Sequence, residues 1–369
     1  MLVSKFDYFL PKELIAQKPA RPRDTSRLLI LDRHAGATQD KYFFDLPKFL
    51  KKGDLLVFNN TKVFKARLFG KLSSRCPGFG ECATTQKSHS IEIFLLRPLE
   101  DFKWQVLAKP GRKLKIGGKI FFNKNFFCRV ENKNEEGIFT VAFNKKFFEV
   151  MKLSNRFGHI PVPPYILTEP EKLSDYQTIY AKYTGSVAAP TAGLHFTKRL
   201  LNQLKKQGVK FTFVTLHVGL GTFRPVKTKM VEEHIMHPEW VEIKKSAAAT
   251  INKAKKEKRR VIAVGTTTVR TLEGVARQNK NSVAESPLIP FAGGINLFIL
   301  PGFDFKVVDA VITNFHLPKS TLLMLVSAFA NEPSDKSSFV GLKRILSAYQ
   351  EAVRKKYRFF SFGDAMLIF

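Results

Sequence analysis

Polar residues gather just beyond four strand-like stretches. Asn59, Asn60 and Thr61 follow the apolar run at 55–58. His217, Gly219, Gly221 and Thr222 follow the stretch at 209–216. Gly265, Thr266 and Thr267 follow the run at 260–264, and Asn314 and His316 follow the run at 307–312. In open α/β sheets ligands bind beyond the carboxyl ends of the strands, so four such clusters imply one shared pocket. The GTTTVR stretch at 265–270 has the order glycine turn, then helix start. A helix amino end presents free N–H groups to a phosphate or carboxylate, and Arg270, one turn on, adds a fork of donors. A threonine cap with no ligand satisfies the same pattern. His217-x-Gly219-x-Gly221 resembles the opening of a dinucleotide loop, but Arg224 stands where the third glycine belongs. That excludes a nicotinamide fingerprint and still lets a ligand approach the backbone.

Two further segments carry histidines. AAPTAGLHF at 188–196 is a small-residue loop offering Thr191, Gly193 and His195 around space for a ligand. VEEHIMHPEW at 231–240 places His234 and His237 at a helix-like i,i+3 spacing beside Glu233 and Glu239. That is two ligands of a metal site with no third implied, or an acid–histidine network able to carry a proton near neutral pH. The three cysteines, Cys76, Cys82 and Cys128, form no C-x-x-C pair. No zinc spacing exists, and the count fits a reducing compartment. No metal is expected.

The elements that must position these residues fall into two kinds. Between about 64 and 154, short alternating stretches at 65–70, 91–96, 104–108, 119–122, 126–131 and 138–143 are separated by turn residues and no helix. That pattern is a small antiparallel β-barrel. From about Tyr176 onward, helices alternate with near-continuous apolar strands. Thr197 caps a helix that ends at Gly208, a lysine-rich helix spans about 246–256, another begins near Thr267, and strands are expected at 297–300 and 307–312. This is an α/β layer with a mixed, largely parallel sheet. The run at 54–60 belongs to the same layer, which makes residues 1–63 and 155–369 one discontinuous domain and 64–154 an insertion. The Gly/Ser/Thr-rich segment at 73–90 reads as an exposed, mobile loop.

Lys and Arg total 61 against 31 Asp and Glu, a formal net charge of +30. A field of that size draws polyanions. Phe is also in excess, at 35 residues; Lys and Phe rise together when coding sequence drifts toward A and T, so part of the charge is compositional. Lys255, Lys256, Lys258 and Arg259 form one basic cluster, and Arg354, Lys355 and Arg358 another. Both suit a phosphate backbone or a solvated helix face. The amino-terminal stretch has charges and prolines where a signal peptide needs apolar residues, and the run at 322–330 is too short to span a bilayer. A soluble cytoplasmic protein with no membrane partner, acting as a monomer, is expected.

Eight longer stretches narrow the reaction. DLLVFNNTKV (54–63), GHIPVPPYI (158–166), AAPTAGLHF (188–196), TLHVGLGTFRPV (215–226), EEHIMHPE (232–239), VGTTTVR (264–270), TNFHLPKST (313–321) and YRFFSFGDAM (357–366) closely resemble, in order, the S-adenosylmethionine:tRNA ribosyltransferase-isomerases of queuosine biosynthesis. The resemblance implies an α/β domain carrying a β-barrel insertion. It also implies a reaction on 7-aminomethyl-7-deazaguanine at the tRNA anticodon wobble position. There the ribosyl group of S-adenosylmethionine is transferred and isomerised, giving epoxyqueuosine-tRNA, adenine and methionine. S-adenosylmethionine is then a consumed co-substrate, tRNA the partner, and no prosthetic group is needed. The sulfonium acidifies the neighbouring ribose carbon, so a placed base removes a proton, and the leaving adenine needs a proton or donors. His195, His217, His234, His237 and His316 are the catalytic candidates. Asn59, Asn60, Thr61, Arg67, Thr191, Gly193, Gly219, Gly221, Thr222, Arg224, Gly265, Thr266, Thr267, Arg270 and Asn314 are the substrate-binding candidates, with the methionine carboxylate on 265–268 and Arg270. Asn296 and Leu300 stand where the family commonly has Thr and Tyr, and the 73–90 segment is longer than usual.

Two rivals share some of these features. A noncatalytic tRNA-binding protein of the same fold would leave S-adenosylmethionine intact, and the polar strand ends argue against it. A methyltransferase would yield S-adenosylhomocysteine, and the chain lacks the Gly-rich first turn with an acidic residue after the next strand.

Overall fold

The computed structural model describes residues 1–72, 90–219, 226, 228–236, 238–279 and 286–369. They divide into two compact units, Met1–Lys62 with Pro163–Phe369, and Val63–Val162. In chain order the first strands are β1 (Arg27–Leu31), β2 (Thr38–Tyr42), β3 (Leu55–Asn59), β4 (Thr61–Val63), β5 (Arg67–Leu72), β6 (Ser90–Pro98), β7 (Lys103–Lys109), β8 (Lys119–Asn123), β9 (Phe126–Lys133) and β10 (Phe139–Phe143). Then come β11 (Tyr183–Ser186), β12 (Lys210–His217), β13 (Glu239–Ile243), β14 (Val261–Val264), β15 (Phe291–Ile295), β16 (Ala310–Asn314) and β17 (Ala365–Ile368). The helices are α1 (Phe147–Phe157), α2 (Lys198–Lys206), α3 (Lys245–Lys256), α4 (Thr266–Gln278), α5 (Thr321–Phe329) and α6 (Val340–Arg354).

The first unit is built on a nine-stranded sheet in the order β15-β13-β12-β3-β14-β16-β17-β1-β2. The pairs β12–β3, β3–β14, β14–β16 and β17–β1 are parallel, and the other pairings are antiparallel. Both faces are covered, which is why the central strands are near-continuously apolar. Leu55 and Val57 of β3 face a core with α3, α4, α5 and α6, while Leu56 and Phe58 face a second core with α2. Because β12, β3, β14 and β16 run parallel, their carboxyl ends share one edge of the sheet.

The second unit is a closed antiparallel barrel in the order β10-β7-β6-β5-β8-β9. Its six strands overlap the six alternating stretches expected from sequence, and Trp104, Ile93, Val130 and Cys128 fill its interior. Asn155 to Val162, placed by sequence with the α/β domain, go instead with the barrel: His159 and Arg67 exchange backbone hydrogen bonds of 2.8 and 3.3 Å. All of the 73–90 loop except Ser90, with Cys76 and Cys82, lies outside the described residues.

One expected strand is absent. Residues 297–300 form no ladder; Leu297, Phe298, Ile299 and Leu300 pack on the core as irregular chain. Their apolar character records burial without strand pairing. Leu300 thus joins the core, Asn296 is exposed, and neither departure from the family pattern lines the pocket described next.

Candidate active site at the carboxyl edge of the sheet

A pocket opens at the carboxyl ends of the parallel strands. Among its walls are Thr191, Gly265, Thr266, Thr267, Asn314 and His316, six of the residues picked out by sequence. Gly265 is the hinge. It leaves β14 with φ +92°, a left-handed conformation that glycine adopts without strain, and its N–H donates to the Ile312 carbonyl at 2.7 Å. The chain then turns into α4, and no side chain caps the amino end of that helix. Ser320, which caps α5 by accepting from the Leu323 N–H at 3.1 Å, lines the same pocket. Two helix amino ends therefore meet there and favour a bound anion.

Three candidate histidines are kept neutral by burial. His316 lines the pocket. Its Nε2 lies 2.9 Å from Thr313 Oγ1, its N–H donates to the Tyr349 hydroxyl at 3.0 Å, and its carbonyl accepts from the Tyr8 hydroxyl at 2.5 Å. Desolvation pushes its pKa down to about 3. His195 is not in the wall. It stacks on Phe43, its Nδ1 is 2.7 Å from Ser26 Oγ, and desolvation lowers it to about 3, opposed by the Asn314 side chain. The Asn314 amide nitrogen donates to the Phe360 carbonyl at 2.8 Å, whereas its oxygen, like His195 Nε2, is buried without a closed hydrogen bond. His195 thus stands behind Asn314 as a support. His217 sits at the end of β12 with Nδ1 2.7 Å from Thr61 Oγ1 and its ring stacked on Trp240, and desolvation lowers it to about 4. His234 leaves a single turn, Val231–Glu233, in extended backbone and packs against Phe298. The helix-like spacing proposed for it and His237 therefore does not form a helix at His234, and His237 lies outside the described residues. Among the described residues no group of three His, Cys, Asp or Glu could hold a metal ion.

Several binding candidates are braces. Asn59 accepts from the Thr61 and Leu216 N–H groups, both at 3.1 Å, and donates to the Leu216 carbonyl at 3.1 Å and toward Thr267 at 3.4 Å. It ties β3 to β12 and α4. Asn60 accepts from the Thr215 hydroxyl at 2.8 Å and faces a second cavity with Lys182, Tyr183, Glu242 and Lys244. Gly193 is held against the Tyr180 ring, and Gly219 donates to Glu239 at 3.2 Å. Gly221, Thr222 and Arg224 lie outside the described residues. Arg67 belongs to the barrel unit, where it pairs with Glu92 at 2.8 Å.

Arg270 is placed elsewhere. It does not line the pocket but forms a buried ion pair with Glu239, while its Nε donates to the Leu297 carbonyl at 3.2 Å and Nη2 has no hydrogen bond. The residues that sequence passed over are Tyr165, Thr313, Ser320 and Ser361, all in the pocket wall, with the Tyr165 and Ser361 oxygens 2.9 Å apart. Ser320 had a signal, since a serine before an apolar run caps a helix.

The two basic clusters lie at opposite edges of the sheet. The Arg260 carbonyl accepts from the N–H of Leu55, the first residue of β3, so Lys255, Lys256, Lys258 and Arg259 sit at the amino edge, away from the pocket. Lys255 pairs with Asp309 at 2.9 Å and Arg259 with Glu257 at 2.6 Å. The Lys355 carbonyl instead accepts from Arg27, which opens β1, and Arg358 pairs with Asp364 just before β17. Ala365 pairs with Asn314, so this cluster is on the pocket edge.

Comparison with known proteins agrees with this architecture. A curated relative from Carboxydothermus hydrogenoformans, named S-adenosylmethionine:tRNA ribosyltransferase-isomerase, is 49% identical over 100% of both chains. One of the same name from Moorella thermoacetica is 46% identical, again over 100% of both. The solved S-adenosylmethionine tRNA ribosyltransferase of Thermotoga maritima is 36% identical, covers 99% of this chain and 100% of its own, and superposes with a TM-score of 0.54. With a family model described as queuosine biosynthesis protein also matching residues 3–368, strands and barrel alike, the chain belongs to the queuosine biosynthesis protein family.

Proposed function

We propose that this protein is a tRNA ribosyltransferase-isomerase. It moves the ribosyl group of S-adenosylmethionine onto 7-aminomethyl-7-deazaguanine at the wobble position of tRNA and isomerises it, leaving epoxyqueuosine-tRNA, adenine and methionine. The observation that carries this reading is full-length similarity to enzymes named for the activity, combined with a pocket suited to the co-substrate. The amino ends of α4 and α5 favour the methionine carboxylate. Asn314 stands in the same pocket wall, its amide nitrogen donating to the Phe360 carbonyl. His316, in the pocket wall and kept neutral by burial, offers its imidazole as a hydrogen-bond partner to the bound co-substrate. The positive charge of the chain matches an RNA substrate.

The test is mass spectrometry after incubating the purified protein with S-adenosylmethionine and tRNA carrying 7-aminomethyl-7-deazaguanine. Epoxyqueuosine with free adenine and methionine is expected. Intact S-adenosylmethionine with bound tRNA would overturn the reading in favour of a binding protein, and S-adenosylhomocysteine would overturn it in favour of a methyltransferase.

A further inference from the structure

Trp240 is a large aromatic side chain left 43% exposed at the start of β13, one residue after the buried Glu239. Its cross-strand neighbours form a row on one face of the sheet. His217 of β12 lies on one side and Gly294 of β15 on the other. The His217 ring stacks on the indole with centroids 5.2 Å apart and planes 14° from parallel. Behind His217 the backbone of β11 closes in, since a Cβ on Gly185 would come within 2.7 Å of His217 Nε2. The histidine is therefore wedged, and it fixes one face of the indole. On the far side, among the described residues, only the Pro238 Cβ lies within 4 Å of where a Cβ on Gly294 would stand.

A rigid, half-exposed ring on a sheet face, with a glycine beside its free side, has the form of a stacking platform for an unpaired base. Trp240 shares this face of β13 with Glu242 and, four residues on, with Lys244 just past the strand's end. Lys244 and Lys182 are exposed and line one cavity with Glu242, two cations against one carboxylate, and the Lys244 ammonium reaches the Tyr183 hydroxyl at 2.6 Å. The row ends at His217, at the carboxyl edge that forms the pocket. We infer that the free face of Trp240 stacks an unpaired base of the RNA substrate that flanks the nucleotide being modified, with Lys182 and Lys244 beside its phosphates. This rests on the RNA-substrate reading above.

The other tryptophan, Trp104, is 1% exposed in the barrel and supplies a constant background, so indole emission reports on Trp240. The experiment titrates the enzyme with tRNA carrying 7-aminomethyl-7-deazaguanine and measures turnover alongside. In the wild type, emission is quenched on binding. Trp240→Phe keeps a ring, so it binds RNA within about threefold of wild type and loses the quench. Trp240→Ala and Gly294→Leu, the second of which fills the free side while keeping the indole, weaken RNA binding by about 5- to 100-fold, the effect of one stacked base. Their kcat at saturating RNA and their KM for S-adenosylmethionine stay at wild-type values. RNA binding by both variants within twofold of wild type overturns the platform, as does an unchanged quench in Trp240→Phe. A raised KM for S-adenosylmethionine instead would assign the free face to that ligand and overturn it too. Failure of the wild type itself to bind or turn over tRNA would refute the function, a result separate from these.

Discussion

The buried histidines make the protein acid-labile in a defined window. His195 and His316 resist protonation until about pH 3 because burial strips water from the charged ring. In the unfolded chain each ring protonates near pH 6.5. Between those values the unfolded state binds more protons, so stability is complete above about pH 6.5 and falls as pH drops toward 3. At pH 5 each ring contributes a loss of about 2 kcal/mol, or about 4 kcal/mol for the pair, which is a large part of a typical folding free energy of about 5–15 kcal/mol. Carboxylates such as Asp45 and Asp335, held low by Lys48 and Arg344, act in the same direction but lower, near the ordinary carboxylate range. Burial raises Glu273, which acts in the opposite direction, so the decisive comparison is between variants. Urea unfolding at pH 7 and pH 5, followed by circular dichroism, is measured on the wild type and on His195→Gln. The variant should lose about 2 kcal/mol less over this interval. Equal losses in both proteins would refute the claim that His195 is buried in its neutral form.

Three further outcomes are expected. Glu239→Ala leaves the Arg270 guanidinium, 6% exposed, without its countercharge, and thermal or urea unfolding should show a loss of about 3–5 kcal/mol; a wild-type melting curve would remove the ion pair from the account of the site. Gly265→Ala forces a side chain into φ +92° at the mouth of α4, so steady-state kinetics should show the KM for S-adenosylmethionine raised about tenfold or more, with stability lowered by about 1–2 kcal/mol. Arg354→Glu, on the pocket edge, should lower the slope of log affinity for tRNA against log salt by about one, whereas Lys256→Glu, at the amino edge, should leave it unchanged; equal effects would disprove the assignment of edges.

How far the site could be read from sequence depended on what each residue reports. The ends of β3, β12, β14 and β16 were legible because an apolar run followed by polar residues marks a buried strand leaving its sheet, and four parallel strands must leave on one side. The barrel was legible through alternation, which records one buried and one solvated face. Residues 297–300 failed because apolar character says that a segment is buried, not which hydrogen bonds it makes. The ion pair of Arg270 was hidden from sequence for a related reason. Its position at a helix start suggested an anion fork, but its partner Glu239 arrives from β13, and only the antiparallel return of that strand beside β12 brings the two together. The two basic clusters are the sharpest instance. Both are short runs of Lys and Arg leading toward a strand, with nothing in composition to separate them. One leads into β14, parallel to β3, and so lies at the amino edge. The other leads into β17, antiparallel to β16, and so lies beside Asn314. A charge acquires its role from the direction of the strand it precedes, and that direction is fixed by pairings distant in the chain.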